Sequence, residues 1–187
     1  VNASLLNSAA TFQTNVYRIH ALGRMLWLVE WLFIFLPLMF HGLLGLIIIR
    51  SGVSNISGYP YSSNVRYTLQ RISGIIAFLF IGWHVFHMHG WIHMESWMRM
   101  ARNLQGSQFR PMNAASSVVY AMQSWWIVAL YAVGILACVY HLANGIWTMG
   151  ITWGIWTSPA GQRRANWIAG GFGVALAVVG IAALVGT

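Results

Sequence analysis

The sequence predicts an all-α integral membrane protein with four transmembrane helices, and composition and pattern both point there. Of its 187 residues 58% are hydrophobic and only 6% charged, and the mean hydropathy is +0.65, far outside the range of soluble domains. Four apolar segments, near 25–49, 72–91, 118–149 and 166–185, each supply roughly the ~20 residues that a bilayer crossing needs. None alternates with the period of two that a barrel strand requires, so helices are left as the way to satisfy every backbone N–H and C=O in lipid.

In chain order, the residues before the first segment carry Asn, Ser, Thr and Gln without an uninterrupted apolar core, which does not match a signal peptide. The first span contains Glu30 and His41 and runs up to Arg50. Residues 51–63, with Gly52, Gly58 and Pro60, then predict a loop. The second span carries His84, and residues 99–113, with Pro111, predict the next loop. The third span carries Cys138 and His141, and residues 157–164, with Pro159, separate it from the fourth. No internal repeat or low-complexity tract interrupts this order, so the expectation is one transmembrane domain over residues 1–187.

Charge narrows the function. All ten basic residues are Arg and most lie between or beside the spans, so the formal net charge of +8 reads as loop and headgroup contacts rather than a nucleic-acid surface. Arg18, Arg24, Arg99, Arg102 and Arg110 fall on one side of the membrane and Arg50, Arg66, Arg71, Arg163 and Arg164 on the other, a balance that leaves orientation open. A single Cys excludes an intrachain disulfide framework and a multi-cysteine metal site. The absence of a Cys-x-x-Cys-His run excludes a covalently attached haem of c type.

His41, His84 and His141 are titratable, coordinating side chains inside apolar spans, where such groups call for a functional explanation. His41 stands nine residues before Arg50 and His141 nine before Gly150, which puts both ~14 Å from the ends of two helices running in the same direction. They are predicted to face each other at one level. His84 lies thirteen residues beyond Arg71, ~20 Å into a helix of opposite direction, and so belongs to the other half of the ~30 Å core. Small residues share these faces: Gly134, Ala137, Cys138, Asn144 and Gly145 around His141, Ser73 and Ala77 below His84, and Gly45 beyond His41. Such faces admit the edge of a flat macrocycle, or else let helices pack closely.

The chain has only two acidic residues, Glu30 and Glu95, too few for a dinuclear carboxylate centre, and histidines at different depths do not assemble zinc's three or four ligands. Bis-histidine haem b needs one imidazole from each of two helices and leaves no open coordination position, which suits electron transfer. His87, His89 and His93, beside Trp91 and Trp97, are expected to anchor at the interface rather than coordinate, and His20 is expected to be exposed. Glu30 precedes His41 by eleven residues, about three turns, which places it on the same face and ~16 Å away, near the level of His84. An intramembrane carboxylate there is a candidate for proton uptake or contact with a quinone headgroup, with a structural partner as the alternative.

These residues fall within longer runs. FLPLMFHGLLG (35–45), LQRISGIIAFLFIGWHVFH (69–87), YHLANGIWTMGITWGI (140–155) and SPAGQRR (158–164) together resemble the cytochrome b558 membrane-anchor family of bacterial succinate:menaquinone oxidoreductases, related to fumarate reductases. The resemblance covers nearly the whole chain in order. It implies a five-helix bundle with two haem b groups in the bacterial cytoplasmic membrane, docked to a flavoprotein and an iron–sulfur subunit. By that resemblance the four spans here are helices two to five, His41 and His141 hold the haem nearer the iron–sulfur subunit, and His84 is one ligand of the distal haem. The family's first helix, with the partner histidine, would fall before Val1, in a missing N-terminal segment or a separate polypeptide; a true four-helix cytochrome with one haem is the remaining option.

The implied function is electron relay from succinate through flavin, iron–sulfur centres and haem to menaquinone. Arg71 is a candidate partner for a haem propionate or an ordinary interfacial Arg. Two rivals stand beside this expectation: a haem b anchor of another quinone-linked oxidoreductase, of formate dehydrogenase or hydrogenase type, and a cofactor-free transporter or channel.

Overall fold

The structure is a computed structural model that describes residues 2–186; the helix expected before Val1 lies outside them. Among the described residues a short 3-10 turn, Asn2–Leu6, is followed by α1 (Ala9–His20). A continuous α2 over Arg24–Arg50 and α3 (Ser62–His89) come next, then two short helices, α4 (Glu95–Asn103) and α5 (Ala114–Ala121), and the long α6 (Trp125–Thr152) and α7 (Pro159–Val185). Four of these, α2, α3, α6 and α7, are long and apolar enough to cross a membrane. Their outer faces expose large apolar side chains such as Phe33, Phe40 and Val178, as lipid-facing helices do. The chain is thus an all-α, multi-pass membrane protein.

The boundaries differ from the expected spans where polar residues continue a helix beyond the lipid. α3 begins ten residues earlier than predicted, at Ser62, because nothing in Ser62–Arg71 breaks a helix; its 28 residues extend to ~42 Å against a ~30 Å hydrocarbon core. α7 begins at Pro159, taken from sequence as a breaker. Proline at the first turn removes only an N–H that has no intrahelical partner, and the Ser158 hydroxyl accepts from Gly161 N–H as a cap. Residues 95–103, partly assigned to a loop, form the amphipathic α4, which buries Ala101 completely. The third span is divided at Gln123–Ser124, separating α5 from α6.

Within α2, residues Trp31–Phe35 form a π turn, with Leu36 N–H bonding to Trp31 C=O. Pro37 supplies the cause: it has no N–H for the carbonyl of Phe33 and its ring crowds that carbonyl, so the ladder relaxes by one residue. The extra residue rotates Glu30 by about 100° relative to His41, off the face that the eleven-residue spacing predicted.

The bundle is built around α6, which packs along both α3 and α7, whereas α2 leans lightly on α3. Small residues set these contacts: the Phe80 ring fills the notch at Gly134, Ile135 that at Gly180, and Ala143 that at Gly173. Gly90 ends α3 at φ 84°, a left-handed turn that glycine adopts without strain, and bonds back to Val85 and Phe86 carbonyls. Ser107, Gln108 and Phe109 N–H groups then meet the carbonyls of Phe86, His87 and Met88. At the same end α1 inserts Phe12 and Val16 against Ala114, and Gln13 bridges Pro111 C=O and Ala114 N–H at 2.7 Å each. The N-terminal turn packs on α7, so the start of the chain covers the end of the bundle where α3 finishes.

Candidate functional site

α2 and α6 run in the same direction and bring His41 and His141 together, ring centres 6.1 Å apart and planes at 73°. The pair that sequence spacing placed at one level is therefore adjacent. His141 leans on α3 at Gly74, where a Cβ would stand 2.8 Å from its Cε1. Its Nδ1 lies 3.1 Å from the Gln70 carbonyl, an acceptor only, so Nδ1 carries the proton and Nε2 keeps its lone pair.

Gln70 ties this arrangement to a polar network inside the bundle. Its amide donates to His141 C=O at 3.1 Å and its Oε1 accepts from Asn144 at 2.8 Å. Asn144 Oδ1 accepts in turn from Arg66 Nε at 2.8 Å. Arg66 also reaches Asn166 on α7 at 2.8 Å and lies over the Trp147 ring, 3.8 Å from its centre. The network binds three helices. It also uses much of the small-residue face around His141: Asn144 serves hydrogen bonding, Gly134 seats Phe80, and Gly145 faces Gln70. Those residues pack helix on helix, the alternative that the sequence left open, whereas Gly45 beyond His41 has no side chain against it.

Arg71 lies one turn before Gly74. Its guanidinium stacks over Tyr67, 3.6 Å from the ring centre, and fills the space beside Gly52. Its buried NH1 has no hydrogen-bond partner, which marks a cation with spare donor capacity at the level of the His41/His141 pair.

His84 is ten residues beyond Gly74 on α3, about 15 Å further along the axis, and takes no part in the first pair. Its ring stacks on Phe80, centres 5.9 Å apart, and lines a cavity of about 450 Å³ with Met88, Tyr131, Ile135 and Gly180. His84 Nδ1 is 3.0 Å from Tyr131 Oη, and His87 Nδ1 is also 3.0 Å from the same oxygen. The sequence placed His87 at the interface. The structure instead buries it to 4% exposure, face to face with Trp83 at 4.8 Å. Tyr131 escaped notice because a Tyr in an apolar span carries no periodic signal, although the three-residue spacing of His84 and His87 already put two imidazoles on one face.

Glu30 reaches the last turn of α3, its Oε2 4.0 Å from His89 Nε2, and the His89 ring lies 4.3 Å from that of His93. His20 is exposed, as expected, though it also lines the cavity of His84, and His93, expected to anchor at the interface, is exposed. Among the described residues no three His, Cys, Asp or Glu side chains are grouped so that they could hold a metal ion.

Comparison with known proteins agrees with the resemblance first seen in the sequence blocks. No protein-family model matches the chain, and no solved structure matches it. The chain is 31% identical over 182 residues to the succinate dehydrogenase cytochrome b558 subunit of Bacillus subtilis (strain 168), an alignment covering 97% of this chain and 79% of the relative. Near-complete coverage at that identity, on four apolar spans, places this chain in the family of succinate dehydrogenase cytochrome b558 subunits.

Proposed function

We propose that this chain is the haem b-bearing membrane anchor of succinate dehydrogenase, passing electrons from an iron–sulfur subunit to menaquinone, with a flavoprotein subunit completing the complex in the bacterial cytoplasmic membrane. The observation that carries this is the His41/His141 pair, 6.1 Å between ring centres. Metal–imidazole bonds of about 2 Å, with about 1 Å from each nitrogen to its ring centre, put two axial imidazoles roughly 6 Å apart. The residues present therefore fit a bis-histidine haem. When bound, the haem supplies one-electron redox chemistry.

The chain's own groups hold and tune it. Gln70 C=O fixes the His141 tautomer and strengthens the ring as a donor. The spare NH1 of Arg71, one turn from Gly74, supports its assignment to a propionate, a charge-assisted contact. His84, with its ring on a cavity and Nδ1 already bonded, is the ligand of a second haem, its partner supplied by an N-terminal segment or separate polypeptide. Glu30 beside His89 serves proton uptake or the quinone headgroup on the His84 side.

The test is haem content and the reduced-minus-oxidised spectrum of the purified complex. His41→Ala and His141→Ala should each remove the same b-type signal and leave any other intact. Retention of the full spectrum in both would overturn the assignment and favour a transporter.

A further inference from the structure

His84, Tyr131 and His87 form a hydrogen-bonded chain that the function above does not by itself explain. Tyr131 is 6% exposed and His87 4%. The phenol oxygen sits 3.0 Å from each Nδ1 and its one proton can reach only one of them; giving that buried proton an acceptor makes Tyr131 donate to one imidazole and accept from the other. Which way the chain runs is set at His84. Were Nε2, the nitrogen not engaged by Tyr131, to hold the iron, Nδ1 would carry the His84 proton and give it to Tyr131, Tyr131 would give its own to His87 Nδ1, and His87 would carry its proton on Nε2.

The surrounding packing leaves neither partner free to turn. His87 is clamped on Trp83, planes 9° apart, and Tyr131 stands edge-on to Phe80 and Trp83 with centres 5.4 Å away in both cases. We propose that Tyr131, backed by His87, is the positioning residue of His84, and that this pair lowers the reduction potential of the haem His84 binds. An acceptor on Nδ1–H makes the imidazole a stronger donor, which stabilises ferric over ferrous iron. His87 strengthens that acceptor by polarising the Tyr131 hydroxyl. The proposal rests on the haem assignment above.

The experiment uses the whole purified complex and two readouts, the midpoint potentials of the haems by redox titration and their low-spin ferric electron paramagnetic resonance signals. His84→Ala comes first: loss of one haem signal establishes the ligand, and an unchanged haem content would overturn the ligand assignment itself. In Tyr131→Phe, with haem content retained, the ferrous-to-ferric ratio of the His84 haem at a fixed potential should rise about tenfold, equivalent to about 59 mV for one electron. Its resonance should shift while that of the His41/His141 haem stays in place. His87→Gln should move the same potential in the same direction by less, and provides the test if Tyr131→Phe does not assemble. Potentials and resonances that match wild type in an assembled, haem-replete variant would overturn the proposal, as would equal shifts of both haems.

Discussion

At the His41/His141 end, Nδ1 of His141 meets a main-chain carbonyl, and at the His84 end the corresponding nitrogen meets a phenol with an imidazole beyond it. A carbonyl only accepts, so the first arrangement admits one tautomer and is fixed by the backbone of α3 itself. A hydroxyl donates and accepts, so the second depends on side chains that are replaceable without disturbing a helix. The supporting packing differs in the opposite sense. The first pair includes a residue on the lightly held α2, whereas the second sits among Phe80, Trp83 and Tyr131 in the bundle's main apolar cluster. One end is rigid in its hydrogen bonding and loose in its helices, and the other is the reverse.

The largest way to break this comparison is at Gly74. A side chain there enters the His141 ring, since even a Cβ would stand 2.8 Å from Cε1, and the ring cannot retreat without leaving the Gln70 carbonyl. Gly74→Leu should abolish the haem proposed for His41 and His141 while leaving the one proposed for His84 in place, read as loss of one component of the reduced-minus-oxidised spectrum. Loss of both components would mean that the two ends are not independent.

How much of this was legible beforehand follows the physics of each feature. Axial depth depends only on counting along helices, so the adjacency of His41 and His141 and the separation of His84 came out of the sequence directly. Azimuth does not survive a defect: Pro37 and its π turn rotate Glu30 away from the face of His41, and no residue count along an ideal helix reveals that. Partner identity across helices was the least legible. Gln70 to Asn144 and Tyr131 to both histidines depend on the antiparallel register of α3 and α6, which is set by Phe80 seating in Gly134, a contact that no local pattern announces. His87, read as an interfacial anchor from its neighbours Trp91 and Trp97, is buried because α1 and residues 107–109 cover that end of the bundle.

A second, smaller effect is expected at Glu30. Its carboxylate stands 4.0 Å from His89, at the outer end of the His84 half and far from the first pair. Glu30→Gln keeps the size and the hydrogen-bonding oxygen but removes proton exchange, so quinone-coupled turnover should fall about 100-fold, the low end of the range for a lost proton-transfer group. The spectra of both proposed haems should be intact. Turnover equal to wild type would sink the role assigned to Glu30 and leave the His89 contact as a structural one.

The smallest effect sharpens the comparison most, because it removes a polar partner at the first end just as Tyr131→Phe does at the second. Asn144 is 4% exposed and links Arg66 to Gln70, but neither neighbour depends on it alone. Arg66 keeps Asn166 and the Trp147 face, and Gln70 keeps its bond to His141 C=O. Asn144→Ala therefore costs about 1 kcal/mol, typical of an interhelical hydrogen bond in a membrane bundle, seen as a lower temperature for thermal loss of the haem absorbance. The potential of the haem proposed for His41 and His141 should stay at its wild-type value, because the group touching His141 Nδ1 is the Gln70 carbonyl and not the Gln70 side chain. A shift in that potential with unchanged thermal stability would show that the network tunes the haem rather than holding the helices, and would erase the distinction between an end set by backbone and an end set by side chains.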